Sequence, residues 1–471
     1  MAIDGASNHV DVLVLGAGPG GYVAAVRAAQ LGLRTAVVEG RWWGGVCLNV
    51  GCIPAKTLLR NAEVVDLVTR QGPAFGITGD AHIDYSAGWR RSRDVAAKMS
   101  RGVKFLMKKN DILAIDGWGT FTSPSSMTVE GADGAISQLE FDHAIISTGA
   151  TPKTLPEVVI GGRVMTYEQL ILSERLPNSL VIAGSGAIGV EFATIMSGFG
   201  VDVTIVEYLD RLVPAEDEAI SAELTRAFRK RGIKTLTSTA VQGVEQSEHG
   251  VDVLVAPTSG GEGRTLQAEA MLMALGFAPR TDGFGLELTG VSLNERGCID
   301  IDAGMRTNVP HIFAVGDVTG KLMLAHVAQR QGVIAAETIA GEHPAPLDYD
   351  SVPRATYCEP QIASVGWTQA QAEVEGASVK VSRFPFSANG KAQGLGEPGG
   401  FVMLVADADT GGLLGAHMIG PGVTELLPEL VLAKRFGLTA AQLATTVHAH
   451  PSLSEAVMGA AEGITGAPID L

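Results

Sequence analysis

The chain has 471 residues, 46% of them apolar and 18% charged, with a formal net charge of −16. Such a length calls for three or four domains rather than one, and the apolar content is enough for large cores. The acidic balance, with no lysine- or arginine-rich block, excludes a nucleic-acid partner, and no run of about 18 apolar residues could span a membrane.

The segment from Met1 to Val10 has neither a basic start nor a long apolar run, so no signal peptide is expected. Val10 to Leu15 reads as a short buried strand. It leads into Gly16-Ala17-Gly18-Pro19-Gly20-Gly21, then a small-residue helix to about Leu31 and a second strand, Thr35 to Glu39. This is a βαβ unit of about 30 residues with a dinucleotide fingerprint. Gly16 allows the tight turn, Gly18 lets backbone approach a pyrophosphate, and Gly21 lets helix and strand pack closely. The helix start offers N–H groups and a partial positive charge to the phosphates, and Glu39 can bind a ribose hydroxyl.

Just downstream lie Cys47 and Cys52, separated by Leu48-Asn49-Val50-Gly51 and followed by Ile53-Pro54-Ala55-Lys56. On a regular helix, residues five apart have Cα atoms roughly 8.6 Å apart, whereas a disulfide needs about 7 Å or less. The two sulfurs can bond only across a distorted turn, which Gly51 and Pro54 favour, and strain would make the bond easier to reduce. The other reading is two buried cysteines that never meet. The remaining cysteines, Cys298 and Cys358, stand alone in strand-like stretches, so they read as inert core residues and no metal site is expected. Four cysteines in a chain this long do not make a secreted disulfide framework. The expected location is therefore the cytoplasm.

Thr148-Gly149-Ala150-Thr151-Pro152 interrupts regular structure and reads as a domain boundary. The βαβ grammar then returns. Leu180 to Ala183 is a strand, Gly184-Ser185-Gly186-Ala187-Ile188-Gly189 the turn, a helix runs to about Phe199, and Val201 to Glu207 closes the unit. A 2′-phosphate about 4 Å from Glu207 would cost roughly 4 kcal/mol at an effective dielectric near 20. That favours NAD over NADP, and Arg211 is the nearest basic residue that could oppose it. A third glycine-rich turn follows at Phe313-Ala314-Val315-Gly316-Asp317.

After about Pro353 the pattern becomes α+β. Strands are expected at Ile362 to Val365, Val379 to Phe384, Phe401 to Val405 and Leu413 to Met418, then two helices, the first with an apolar stripe of Val423, Leu426, Leu427 and Leu430. The last informative stretch is His448-Ala449-His450-Pro451-Ser452-Leu453-Ser454-Glu455. A histidine there can exchange thiol protons near neutral pH, oriented by a carboxylate. The competing reading is structural: Ser452 and Glu455 fit a capping box for the last helix. His448 reads as structural.

These motifs, in this order and over essentially the whole chain, make it resemble the dihydrolipoamide dehydrogenases, a branch of the flavin-containing pyridine-nucleotide disulfide oxidoreductases. The resemblance rests on Gly16 to Gly21, Cys47 to Cys52, Gly184 to Glu191, Ala314 to Asp317, and His450-Pro451 with Glu455. It implies an α/β fold with two Rossmann-like dinucleotide-binding domains plus a C-terminal α+β dimerisation domain. The implied segments are 1–150 for FAD, 151–275 for NAD, 276–348 completing the FAD site, and 349–471 forming a homodimer interface. Cys47 would exchange with lipoamide, and Cys52 would face the flavin in a charge-transfer contact. Lys56 would lie beside the reactive flavin nitrogen and pair with Glu191. Asp317 would bind the ribitol, with Gly149, Ala325 and Gly276 completing the cofactor contacts. His450, after a cis peptide to Pro451 and oriented by Glu455, would act on the other subunit's site. The implied partner is dihydrolipoamide, free or on the lipoyl domain of an acyltransferase. Ala55 stands where a serine is usual, and Gly45-Val46 where Gly-Thr is common. Two alternatives stay open: a related reductase acting on another small disulfide or a metal ion, and a redox-inert flavoprotein scaffold.

Overall fold

The structure is a computed structural model that describes residues 8–470; the expectation of no signal peptide rests mostly on residues outside that range. Contacts divide the chain into two compact units. The first comprises Met1–Thr57, Ser86–Lys153 and Gly276–Leu347, and the second Leu58–Tyr85, Thr154–Leu275 and Asp348–Leu471.

In the first unit, β1 (His9–Leu15) pairs in parallel with β2 (Thr35–Glu39), and the two are joined by α1 (Pro19–Gln30). The short α2 (Gly45–Asn49), the start of α3 (Cys52–Asp66), which the division splits after Thr57, and nearly all of the long α4 (Tyr85–Lys109) precede β3 (Leu113–Asp116). β4 (Trp118–Ser123), β5 (Ser126–Glu130) and β6 (Ile136–Ile146) form an antiparallel meander. β3, β2, β1 and β6 are neighbours in that order, and the strand Ile312–Ala314 extends the parallel array beyond β6. A parallel sheet covered on both faces needs apolar side chains on both, and β1 supplies them alternately. Val12 and Val14 pack with Ala24, Ala25 and Ala28 of α1, whereas Leu13 and Leu15 pack with Phe121, Met127 and Leu139. Small residues let α1 approach the helix Ala325–Ile339 closely: a Cβ on Gly332 would sit 2.5 Å from the Gly20 carbonyl oxygen.

The second unit repeats the theme. Lys234–Leu236, Asp202–Val206, Ser179–Ala183, Ala270–Met273 and Val164–Thr166 make an all-parallel sheet in that spatial order, with helix Ala187–Gly198 following the strand Ser179–Ala183. Its C-terminal part is an antiparallel sheet in the order Arg354–Thr356, Gln361–Gly366, Leu413–Gly420, Phe401–Asp407, Val379–Pro385. Val423, Leu427 and Leu430 are buried on it, and Leu426 packs at its edge, as the stripe requires.

Two details differ from the sequence reading. Three helices follow the last strand, Val423–Arg435, Ala440–Ala444 and Glu455–Thr465. The middle one has five residues, started by a Thr439–Gln442 capping box, and is too short to show a periodic stripe. Cys298 and Cys358 are buried as expected, but in irregular segments rather than strands.

Candidate active site

The two glycine-rich turns are built alike. Gly16 has φ +98° and Gly184 φ +99°, the left-handed side that glycine reaches without strain. A Cβ on Gly21 would run into the Gly16 carbonyl oxygen, and one on Gly189 into that of Gly184. These glycines close helix against turn. Gly18 and Gly186 instead cap the helix starts and border open space: a Cβ on Gly18 would meet nothing nearer than Gly45 Cα at 4.0 Å, and one on Gly186 nothing within 4 Å. Each cradle thus has helix N–H groups and room for a phosphate in front of them.

Glu39 and Glu207 end the second strands as expected and also hold the turns. Glu39 accepts from the N–H of Ala17 at 2.8 Å, Arg41 at 2.7 Å and Trp42 at 2.9 Å. Glu207 accepts from Ser185 N at 2.8 Å, Ser185 Oγ at 2.7 Å and Leu209 N at 2.8 Å. A carboxylate offers about four acceptor positions, so each keeps one for a ribose hydroxyl.

The helix breaks between the two cysteines. α2 ends at Asn49, Val50 leaves helical geometry, and α3 starts at Cys52. Cys47 and Cys52 are both half-buried. They are in direct contact: a hydrogen bond to Cys52, together with burial, pushes the Cys47 thiol up, while the charge of Lys56 pulls it down. Asn49 braces the turn, donating to Trp43 O at 3.0 Å and Gly45 O at 2.9 Å, and Arg93 Nη1 donates to Asn49 O at 2.8 Å. Sequence reasoning passed over this bracing, although Asn49 lies inside the cysteine motif.

Asp317 follows the strand Ile312–Ala314. Among the described residues its carboxyl makes no hydrogen bond, and burial alone pushes it up to about 6. A half-buried carboxyl that makes no hydrogen bond is costly unless a ligand hydroxyl meets it, which fits a polyol chain. Ala325 begins the helix Ala325–Ile339 and presents a free helix start, and Gln331 on that helix, also unforeseen, accepts the Gly316 N–H at 2.7 Å. Gly149 and Gly276 flank a short antiparallel pair, Ala150–Pro152 with Phe277–Pro279, and accept from Arg280 N at 3.0 Å and Lys153 N at 2.9 Å.

In the second unit, Glu191 is buried on Ala187–Gly198 and accepts the Tyr357 N–H at 2.9 Å. Each oxygen of Glu455 has its own partner. Oε1 lies 2.8 Å from His450 Nδ1, and Oε2 accepts the Ser452 N–H at 2.7 Å. Burial works against ionisation of Glu455, but the Ser452 N–H, His450 and His448 outweigh it and bring the carboxyl below its usual range. Ser452 itself does not cap the helix; Ser454 is the N-cap residue, without a side-chain bond. The His450–Pro451 peptide is cis. The His450 ring is 80% exposed.

Comparisons with known proteins agree with this arrangement. A family model described as pyridine nucleotide-disulphide oxidoreductase matches residues 10–332, and one described as the dimerisation domain of that family matches residues 352–461. A dihydrolipoyl dehydrogenase of Mycobacterium tuberculosis is 53% identical over 459 residues, covering 97% of this chain and 98% of its own. Among solved structures, LpdA of the same organism superposes with a TM-score of 0.88 at 30% identity, covering 96% of this chain and 99% of its own. The Cu(II) complex of the flavoprotein disulfide reductase RclA from Escherichia coli reaches 0.87 at 27%, with the same coverage.

Proposed function

The chain belongs to the pyridine nucleotide-disulphide oxidoreductase family, and from that premise we infer that it is a dihydrolipoyl dehydrogenase, using FAD and NAD. It oxidises dihydrolipoamide and reduces NAD+. The observation that carries the chemistry is the direct contact of Cys47 and Cys52 beside Lys56. The near full-length identity to a dihydrolipoyl dehydrogenase carries the substrate.

In this reading, residues 1–150 and 276–348 hold FAD, 151–275 hold NAD, and 349–471 make the dimer interface. The first cradle, Glu39, Gly149, Asp317 and Ala325 would hold FAD; Gly184, Gly186, Gly189, Glu207 and Gly276 would hold NAD. When bound, the flavin supplies two-electron transfer between the cysteine pair and the nicotinamide. The chain's own residues handle sulfur and protons. With the pair oxidised, a substrate thiolate attacks Cys47; the Cys47–Cys52 bond breaks, a mixed disulfide forms at Cys47, and Cys52 leaves as a thiolate. The second substrate thiol attacks the mixed disulfide, closes the lipoamide ring and releases Cys47. His450 takes the thiol proton at Nε2, because its Nδ1–H is held by Glu455. Lys56 steadies the thiolates by charge.

His450 acts on the partner subunit's cysteine pair. In support, the dimerisation-domain match includes His450, its ring is exposed, and Leu432, Phe436 and Val447 are large apolar residues left open nearby in the chain. The physiological dithiol is carried by the lipoyl domain of an acyltransferase, and the setting is the cytoplasm, in keeping with the absence of a disulfide framework.

The direct experiment is an absorbance spectrum of the purified protein before and after dihydrolipoamide, then after NAD+. The flavin band should bleach and then recover. An unchanged spectrum with dithiol would leave a redox-inert flavoprotein, and reduction of oxidised glutathione in preference to lipoamide would make it a different disulfide reductase.

A further inference from the structure

Two residues before His450 stands a second histidine with very different surroundings. The His448 side chain is 6% exposed, against 80% for His450. Its Nδ1 lies 2.9 Å from the Thr446 carbonyl oxygen, and its Nε2 lies 2.8 Å from Oε1 of Glu429. Neither a carbonyl nor a carboxylate has a proton to give. Each ring nitrogen thus faces an acceptor, and a ring that donated from both would be an imidazolium. A histidine serving only as packing would find one donor and one acceptor and stay neutral. His450 has no such saturation: Glu455 holds Nδ1, and among the described residues Nε2 has no hydrogen-bond partner.

Glu429 reaches in from the helix Val423–Arg435, His448 and His450 lie on the loop, and Glu455 opens the last helix. Among the described residues no other titratable side chain is hydrogen-bonded to either histidine. We propose that the Glu429–His448 ion pair is a positioning element for the base: it ties down the loop and sets a cation beside Glu455, which restrains the proton affinity that Glu455 confers on His450. Without it the full negative charge of Glu455 would act on His450, and the imidazolium would hold the proton it must return. The effect of His448 on Glu455 points the same way, alongside the Ser452 N–H and His450 and against burial.

The inference rests on His450 being the base, so the tests separate the two. The readout is the pH dependence of kcat/KM for dihydrolipoamide, with NADH oxidation by an artificial acceptor, which bypasses the base, as the check on folding and cofactor loading. His448→Gln removes the cation and should move the ascending limb to higher pH by about 0.5–1 unit. His448→Lys restores a cation opposite Glu429 and should bring the limb back toward the wild-type position. A Gln profile that superimposes on the wild type, or a Lys profile displaced as far as the Gln one, overturns the proposal. Independently of any variant, nitrogen chemical shifts of wild-type His448 at about pH 8 should show both ring nitrogens protonated; a neutral ring overturns it too. His450→Gln is the control for the parent reading: undiminished lipoamide turnover there would remove the base itself, whatever His448 does.

Discussion

Glu455 joins two duties that its carboxylate alone can combine. One oxygen accepts from His450 and the other from the Ser452 N–H. An amide can accept on one side only, so Glu455→Gln sets an NH2 against one of two donors and removes the charge. Turnover of dihydrolipoamide should fall by roughly 10–100-fold, because the Nδ1–H of His450 loses the charged acceptor that orients the ring. Turnover that stays near the wild-type level would mean that Glu455 serves the helix and not the base. Asp317 invites a different measurement. In the apoprotein its folded value is about 6, above the ordinary carboxyl value of 3.8, because burial disfavours the charge. The folded state thus binds the proton more tightly. Its contribution is fully present below the unfolded value and is lost as pH rises through about 6. The size is about 3 kcal/mol, from roughly two units at 1.36 kcal/mol each. Asp317→Asn should flatten the urea-unfolding stability of the apoprotein between about pH 4 and pH 6 and weaken FAD retention. A wild-type apoprotein equally flat in that window would show that Asp317 is not buried as a carboxyl. The residue types at these positions were legible in the sequence, whereas the double duty of Glu455 and the Glu429 partner of His448 were not. Hydrogen-bond partners come from whatever packs nearby, and Glu429 lies on a separate helix.

At the scale of elements the two βαβ units were the most readable part, since strand period, glycine spacing and terminal acid are all local signals. Their shared construction makes a paired experiment possible. An alanine Cβ at either Gly21 or Gly189 would strike the carbonyl oxygen that opens the same turn. Gly21→Ala should yield protein that purifies largely without flavin. Gly189→Ala should keep its flavin yet need at least about tenfold more NAD+ for half-maximal rate, the loss of one or two phosphate contacts. If both variants bind both cofactors normally, the cradles are structural turns. The break between α2 and α3 was also foreseeable, because an unbroken helix would have kept Cys47 and Cys52 apart. The five-residue helix Ala440–Ala444 was not, because a single turn carries no period.

For the whole molecule, the testable matter is how two chains make one site. Leu432 is 57% exposed, Phe436 67% and Val447 94%, all close in sequence to Glu429 or His448. A charge buried in an apolar contact costs several kcal/mol. Leu432→Glu with Phe436→Glu should therefore halve the mass measured by sedimentation, keep FAD, and lose most lipoamide turnover. A stable dimer with full turnover would put the contact elsewhere. What the sequence by itself determined is local: two cradles, a thiol pair across a break, a histidine and its acid five residues on, and strands whose alternation marks their faces. Tertiary structure decided the meetings between distant segments. It placed Ile312–Ala314 beside β6, left the Asp317 carboxyl without a hydrogen bond among the described residues, and set Glu429 against His448. The reason is physical: period and turn chemistry are written in neighbouring residues, but the partner of a buried polar group is fixed by which helices and strands pack together.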